Sequence, residues 1–576
     1  MIRRLLLSCV LPLVMGGLVQ PATAQQDGPG LAGPYLAART AVLEGNHRSA
    51  AIYFETALAA DPTNMALINN AIFANAALGQ WGRAATIADM LPPEARAQEL
   101  VHLVRMVQRI AAGDLGALRA AIEAGIGAGP LIDGLAMGWI YLGEGDMRRA
   151  SESFLAVADD APLADIAYTH LAYARAAVGD FEGADAILSG TEFGPLSASE
   201  RSLWARAEVL VQLDRREDAL ELLDFFTASL PNPALLDLRA RIDAASEPAT
   251  YGFITTAHQG LAEVFYTIAR ALQGERRAPA DRVDGGAGSL PLLYARAARG
   301  IDPSHSEALL LAAEMLRMDG QFDLADAAYG DVQPGDRQFV QAQLGRADAF
   351  LENDQPEAAV DVLRDLARDH PALPSVQAAL GDALRRTDRC DEAVVAYSAA
   401  LDLVDTTQSR AWFLYYTRGI CRETLKDFTG SEADFRQALV LNPDQPQVLN
   451  NLGYSLVEQR RNLDEALAMI ERAVAARPES GYIVDSLGWV LYRLGRFDEA
   501  VEPMERAVAL LPTDPIVNDH LGDVYWMVGR KREAQFQWQR ALSFDPEDSD
   551  AIRIRRKLDV GLDQVLQDEG GVGQTP

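Results

Sequence analysis

The sequence is poor in lysine and in positive charge generally. Among its 576 residues, Lys and Arg together number 52 and Asp and Glu number 82, and lysine occurs only at positions 426, 531 and 557. The formal net charge is −30. Because such a charge repels nucleic acid and anionic membranes, we expect neither as a partner. Solubility alone is a sufficient reason for a charge of this sign and size.

Long apolar runs are also scarce. The one extended run, 5–19, is too short for a comfortable membrane span and follows a short positive region. After it, Ala-Thr-Ala at 22–24 fits the small-residue rule for signal peptidase. We therefore interpret 1–24 as a cleaved signal peptide, with an uncleaved anchor helix as the alternative. The mature chain, starting at Gln25, is expected to have no transmembrane segment and to be exported to the periplasm, either free there or peripheral to the envelope.

Recognisable catalytic and metal-binding motifs are missing as well. The seven His residues form no HExxH helix motif and no metal-ligand spacing with Cys, and neither a GxxxxGK phosphate loop nor a GxSxG turn occurs. We therefore expect a protein that is not an enzyme and holds no cofactor and no metal. The alternative is an enzyme whose catalytic groups lie in the irregular segment 232–305, which contains Tyr251, His258, Glu263 and Tyr266.

What the sequence does contain is a repeat of about 34 residues. LGWVLYRLGRFDEA at 487–500 is followed by LGDVYWMVGRKREA at 521–534. Alanine recurs twelve residues after the Leu-Gly position, and a bulky residue follows four residues later. When the repeats are aligned on the glycine of Leu-Gly, a small or apolar residue recurs at that position at intervals of 32 to 38 residues, apart from one gap between 207 and 313. These residues are Ala38, Ile72, Met106, Gly138, Ala172, Ala207, Ala313, Gly345, Gly381, Gly419, Gly453, Gly488 and Gly522.

This pattern resembles the tetratricopeptide repeat (TPR) family over roughly residues 31–557, and its C-terminal part is similar to bacterial cell-envelope proteins of this type. The resemblance implies an all-α superhelix, an α-solenoid of about 13 to 14 helix-turn-helix repeats, interrupted near 274–289. The expected domains are a signal peptide (1–24), an N-terminal array (25–230), an irregular helical linker with a long loop (231–305), a C-terminal array (306–546), a capping helix (547–562) and a disordered tail (563–576).

The resemblance also implies a function: a non-catalytic periplasmic scaffold or adaptor that binds a protein or peptide partner in a concave groove, in cell-envelope assembly or periplasmic proteolysis. In this family one stripe of the first helix of each repeat lines the groove, and here that stripe includes Phe413 and Ile516. Aromatic side chains beside polar groups are typical of interface hot spots. The alternative is that the capping helix or the superhelix itself covers them. The predicted groove residues are Tyr416, Tyr454, Tyr482, Asp485, Trp489, Tyr492, Asp519, Asp523 and Trp526.

Two cysteines remain in the mature chain. In such an array Cys390 falls near the start of a second helix and Cys421 near the end of the following first helix, so the two are expected to meet. In an oxidising periplasm this arrangement favours a disulfide. The alternative is two small buried side chains at packing positions, since Cys behaves as a small apolar residue. The sequence leaves both interpretations open.

Overall fold

The computed structural model of the protein describes residues 30–229, 232–245, 250–274 and 290–569. These residues form 31 α-helices and no β-strand, which confirms the predicted all-α solenoid. The predicted signal peptide and nearly all of the predicted loop at 274–289 lie outside the described residues. Within the described part of the chain, no helix is both long and apolar enough to cross a membrane.

The helices follow one another in pairs, and the repeat at Gly481–Arg493 and Phe497–Leu510 illustrates why. Between them Gly495 has φ +73, a left-handed conformation that favours glycine, and its N–H bonds back to the carbonyl of Tyr492. The following first helix begins with Pro515. Proline has no N–H, but the N–H of the first helical residue has no partner within the helix, so no hydrogen bond is lost there. The left-handed glycine after the first helix and the proline at the start of the next pair therefore mark the turn and the end of this repeat.

Close packing within a pair depends on the repeated small residue. A Cβ added at Gly488 would overlap the side chain of Met504, and one added at Gly522 would overlap the indole of Trp538. Both bulky residues lie sixteen positions after their glycine and are fully buried. The small and bulky positions of the sequence repeat are thus the two sides of one contact between paired helices.

The chain forms two compact units that divide between Asp354 and Gln355. The helices of the first unit are Ala32–Leu43, His47–Ala60, Met65–Ala77, Trp81–Ala88, Glu99–Ala111, Leu115–Glu123, Pro130–Gly143, Met147–Ala158, Ala164–Ala177, Phe181–Leu188, Glu200–Gln212, Arg216–Ser229, Pro233–Ala244, Ala257–Gly274, Leu290–Ile301, Ser306–Met318, Phe322–Gly330 and Phe339–Glu352.

The second unit continues the pattern of pairs to the last described residues. Its helices are Pro356–Asp369, Pro374–Arg386, Cys390–Leu403, Trp412–Thr424, Phe428–Leu441, Pro446–Glu458, Leu463–Ala476, Gly481–Arg493, Phe497–Leu510, Pro515–Met527, Lys531–Leu542, Asp548–Val560 and Leu562–Asp568. First helices of successive pairs contact one another, for example Pro446–Glu458 with Gly481–Arg493 and the latter with Pro515–Met527. We call the face that the first helices of a unit share its inner wall.

Two predicted boundaries differ from the structure. The segment 231–305 does not separate two arrays, because Ala257–Gly274 and Leu290–Ile301 are packed into the core of the first unit. The predicted capping helix is present as Asp548–Val560, but the predicted disordered tail begins with a further helix, Leu562–Asp568. That helix is held by Leu562 and Val565, which are buried.

Candidate partner-binding site

The inner wall of the second unit carries an exposed row of large apolar side chains. Phe413, Tyr482 and Ile516 are 45%, 61% and 51% exposed, respectively. Each lies six residues before the glycine that packs its helix against the partner helix of the pair, so the three occupy the same place in three different first helices. We call these three residues the exposed row. Tyr482 was predicted as a groove residue, and the structure places it in the open.

The central aromatics of the predicted groove lie beneath the surface. Trp489 and Tyr492 are only 7% and 6% exposed. The Trp489 indole stacks on His520 of the next first helix at 3.9 Å between ring centroids, and its Nε1 donates to Glu458 Oε1 at 2.7 Å. The prediction that these two aromatics line an open groove is therefore wrong. They fill the space between successive first helices.

A buried ion pair lies directly beside this stack. His520 Nδ1 is 3.0 Å from Asp485 Oδ2, and both residues are buried. Burial alone would lower the pKa of His520, but the negative charges of Asp485, Asp519 and Asp523 outweigh burial and raise it. Asp485 was predicted to face a partner, but its carboxylate is buried and hydrogen-bonded to His520. The sequence analysis did not single out His520, although it follows the stripe residue Asp519 directly.

The last part of the predicted groove is covered by the C-terminal helices. Lys557, from Asp548–Val560, places its Nζ 2.7 Å from Asp519 Oδ2 and 2.6 Å from Asp523 Oδ1, and it has no exposed surface. Burial, and then the charge of Asp523, raises the pKa of Asp519. Asp519 and Asp523 therefore bind the capping helix, and their prediction as open groove residues is wrong.

Trp526 contacts the same C-terminal helices but is only half-buried, so its role in binding a partner stays a prediction. Its Nε1 donates to Asp563 Oδ2 at 3.0 Å, and a Cβ added at Gly561 would overlap its ring. The covering by the capping helix is thus the arrangement found at this end of the wall. A sequence signal existed, because Lys557 lies 34 residues after Asp523 and so continues the same stripe.

The two remaining predicted tyrosines are half-buried on the wall. The hydroxyl of Tyr416 accepts a hydrogen bond from Asn451 Nδ2 at 3.3 Å, which links two first helices. Burial raises the pKa of Tyr416 and of Tyr454, so both hydroxyls stay protonated at neutral pH. Tyr416, Tyr454 and Tyr482 keep accessible surface, and their role in binding a partner stays a prediction.

Cys390 and Cys421 meet as expected. Their sulfur atoms are 2.7 Å apart, both side chains are buried, and both are free thiols in this structure. Burial, and then the neighbouring Cys390, raises the pKa of the Cys421 thiol. The structure brings the two sulfurs together, and the disulfide stays a prediction.

The residues considered for the enzyme alternative take part in packing and ion pairing in the first unit. His258 Nε2 contacts the carbonyl oxygen of Ile301 at 2.9 Å. Glu263 is buried and pairs with Arg201 at 2.5 Å and with His305 at 3.3 Å. Burial alone would raise the pKa of Glu263, but Arg201 and His305 outweigh it and lower the pKa to about 2. Both groups are occupied by bonds within the fold.

Comparison with known proteins identifies the repeat. A family model described as "Tetratricopeptide repeat" matches residues 344–407, 378–446, 416–480 and 450–515. A TPR repeat-containing protein of Pseudomonas aeruginosa is 31% identical over 200 residues, which is 34% of this chain and 32% of that relative. The matched part of the chain thus spans about a third of the relative's length.

Solved structures with the same kind of fold are more distant. The chain resembles one in the Cut9–Hcn1 hetero-tetramer of the APC/C, with 15% identity, a TM-score of 0.38 and coverage of 92% of this chain and 96% of that one. It also resembles YrrB, described as a TPR protein with an unusual peptide-binding site, with 18% identity, a TM-score of 0.28 and coverage of 34% and 97%. The match to the family model identifies residues 344–515 as tetratricopeptide repeats, and the helices in the rest of the described chain follow one another in similar pairs.

Proposed function

We propose that the protein is an exported, non-catalytic tetratricopeptide scaffold that binds an extended segment of a partner protein along the inner wall of its second unit. The exposed row carries this proposal. Phe413, Tyr482 and Ile516 lie at one repeated position and stay in solvent, so the packing of the array does not require them to be apolar. Aromatic and aliphatic anchors of this kind supply most of the binding energy at protein interfaces.

The wall beneath the exposed row is suited to hold these anchors rigidly. Trp489, Tyr492 and His520 form a stacked layer between two neighbouring first helices, so the helices that carry Tyr482 and Ile516 are held against each other. Anchors that are fixed before binding lose less conformational entropy when a partner arrives. The strong net negative charge of the chain favours a partner segment that carries basic as well as apolar side chains.

A matched pair of variants tests this function. The row variant replaces Phe413, Tyr482 and Ile516 with Ser. The control replaces Val395 and Val440 with Ser, because these valines are 69% and 72% exposed on second helices of the same unit. Twelve-residue peptides selected from a display library against the wild-type protein are then titrated into both variants by fluorescence anisotropy.

We expect the row variant to weaken peptide binding at least about thirtyfold, as for the loss of a hot spot, and the control to change it less than threefold. Equal melting temperatures would show that both variants remain folded. Equal affinities of the two variants for every selected peptide would refute the proposal that the exposed row binds the partner.

Export and an envelope role belong to the same proposal. The signal-like segment 1–24 supports export, and mass spectrometry of the mature protein should find Gln25 at its N-terminus. We propose that the scaffold serves cell-envelope assembly or periplasmic proteolysis, to which the resemblance to envelope proteins points. An intact Met1 on a cytoplasmic pool would contradict export without affecting the binding proposal.

A further inference from the structure

The first unit contains a cavity of about 890 Å³. It is bounded by the helices Glu200–Gln212 and Pro233–Ala244, by the chain around Phe253 and by the start of the helix Ser306–Met318. Sites for small ligands in proteins usually have volumes of about 300 to 1,000 Å³. The cavity is therefore large enough to hold a small ligand.

Part of the lining of this cavity is apolar. Val211, Leu238, Ile242 and Phe253 line it, and among them Val211 is half-buried and the other three are buried. Contact with apolar surface is what retains most small ligands, and a few polar groups then fix their orientation. The cavity thus offers a wall against which the apolar stem of a ligand can lie.

The arginines of the lining are already bonded within the fold. They are Arg201, Arg216, Arg241 and Arg337. Arg201 and Arg337 both pair with Glu307, at 2.8 and 2.5 Å. Arg241 pairs with Asp237 at 3.0 Å, and Arg216 donates to the carbonyl oxygen of Ala245 at 3.0 Å. An anionic ligand would have to displace one of these bonds, so the arginines do not favour an anion.

Four carboxylates of the lining, in contrast, have no ion pair among the described residues. They are Glu208, Asp214, Asp302 and Asp336. Asp302 accepts from the N–H of Ser304 at 2.9 Å, and Asp336 accepts from the N–H of Gln338 at 2.8 Å. These donors are neutral and leave the negative charges uncompensated. The cavity therefore favours a ligand with positive charge.

A buried oxygen atom in the lining points to the same kind of ligand. Glu307 is 7% exposed, and its Oε2 accepts no hydrogen bond. His305 Nδ1 lies 3.4 Å from this oxygen, but it accepts the N–H of Ala308 and so has no proton to donate. Buried polar atoms are nearly always hydrogen-bonded in folded proteins. A group rich in N–H donors would supply what this carboxylate lacks.

We propose that the cavity is a binding site for a small organic cation, an ammonium or guanidinium group on a short apolar stem. The apolar wall holds the stem, and Asp302 and Asp336 bind the cationic group through charge-assisted hydrogen bonds. A free alkyl diamine and a lysine or arginine side chain of a short peptide share this chemistry. The site lies in the first unit and is independent of the exposed row of the second unit.

Calorimetric titration of the full chain with two cationic probes tests the proposal. The probes are cadaverine, an alkyl diamine, and a tripeptide with capped ends and a central lysine. Their neutral analogues are the diol of the same length and the tripeptide with norleucine in place of lysine. The titrations are made at about 0.15 M salt, where charges more than about 8 Å away are largely screened.

We expect saturable binding of at least one cationic probe and no binding of the neutral analogues. Tighter binding of cadaverine would indicate a free amine as the ligand, and tighter binding of the tripeptide would indicate a side chain; both results support a cation site. Failure of both cationic probes to bind, or equal binding of their neutral analogues, would overturn the proposal.

A matched pair of variants locates the binding. The acid variant replaces Asp302 and Asp336 with Asn, which removes two charges and keeps an acceptor oxygen at each position. The control replaces Glu221 with Gln and Asp323 with Asn, which removes the same charge from two exposed residues outside the lining. We expect the acid variant to bind the tighter probe at least about tenfold more weakly, and the control to change its affinity less than about twofold.

A third variant, Ser304→Trp, obstructs the cavity at an exposed lining residue and leaves every charge in place. It should weaken binding at least about tenfold as well. Equal affinities of the acid variant and its control would show only general attraction to a negative chain, and full affinity of Ser304→Trp would place the ligand outside the cavity. Each of these results would overturn the proposal. Melting temperatures verify that the variants are folded, and Ser304→Trp decides if the acid variant is not.

Discussion

Lys557 is the only one of the three lysines that is completely buried, and its replacement gives the sharpest prediction for stability. Its Nζ makes contacts of 2.6, 2.7 and 2.9 Å with the carboxylates of Asp523 and Asp519. Lys557→Met keeps most of the length of the side chain and removes the charge. Two carboxylates are then left facing each other beneath the capping helix with no lysine between them.

The expected magnitude follows from this burial. Removing one partner of a buried ion pair costs about 3 to 5 kcal/mol when the remaining charge is left uncompensated. Arg553 Nη1 still lies 3.6 Å from Asp523 and 3.8 Å from Asp519, so the lower end of this range applies. At about 1.4 kcal/mol per factor of ten, the equilibrium constant for opening the capping helix should rise by about two orders of magnitude. Hydrogen exchange of the amides in Asp548–Val560 measures this local opening without requiring that the whole array unfold at once.

Lys531→Met is the matched control. Lys531 is 3.8 Å from Asp563 and its side chain is 58% exposed, so losing this pair should cost at most about 1 kcal/mol. Adding Asp523→Asn to Lys557→Met should restore part of the protection, because one unpaired carboxylate disappears while Trp538 Nε1 keeps an acceptor. If Lys557→Met and Lys531→Met changed exchange equally, the buried cluster would not hold the capping helix.

Three further predictions concern the interior of the second unit. Trp489→Ala should lower the free energy of unfolding in guanidinium by about 3 to 5 kcal/mol, as for a buried tryptophan, whereas Tyr482→Ala should change it by less than about 0.5 kcal/mol; the reverse order would refute the placement of Trp489. The raised pKa of His520 means that its protonated form stabilises the fold below about pH 6.5 and that this contribution is lost as the pH rises through the raised value, so His520→Gln should destabilise more at pH 6 than at pH 9. Oxidation should join Cys390 to Cys421 and raise the free energy of unfolding by about 3 to 4 kcal/mol in the chain-entropy picture, and equal melting temperatures with and without reductant would contradict the bond.

Periodicity alone was enough to predict the packing inside a helix pair. The geometry of the helix pair requires a small residue at the Leu-Gly position and a bulky residue sixteen positions later. The residue in the first helix therefore predicts which residue of the second helix it contacts. Gly419 with Phe435 and Gly381 with Tyr397 are such contacts, and in each the ring occupies the space that a Cβ would need. The interval is short and repeated, which is why the sequence shows it.

The solvent exposure of the side chains in the predicted groove stripe could not be predicted from the periodicity in the same way. Position on a helix tells which direction a side chain leaves that helix, but its exposure depends on what the neighbouring helix places there. Trp489 and Tyr482 belong to one stripe of one helix, yet His520 covers the first and nothing among the described residues buries the second. Sequence therefore identified the wall and overestimated how much of it is open.

The irregular middle of the chain shows a different limit of the sequence. Between Ala207 and Ala313 the sequence repeat is interrupted. When only neighbouring residues in the sequence are considered, such an interruption predicts a linker. The structure uses that stretch to fill a wall, through contacts such as Trp81 with Arg296, 215 residues apart, which no local period records. The same repeat pattern thus produces an inner wall in each unit, and the two walls differ in whether other helices of the chain cover them. Where the chain supplies its own amphipathic helices, the wall becomes core, and where none is supplied, apolar side chains remain in solvent. The exposed row of the second unit is therefore apolar surface that the array itself leaves uncovered.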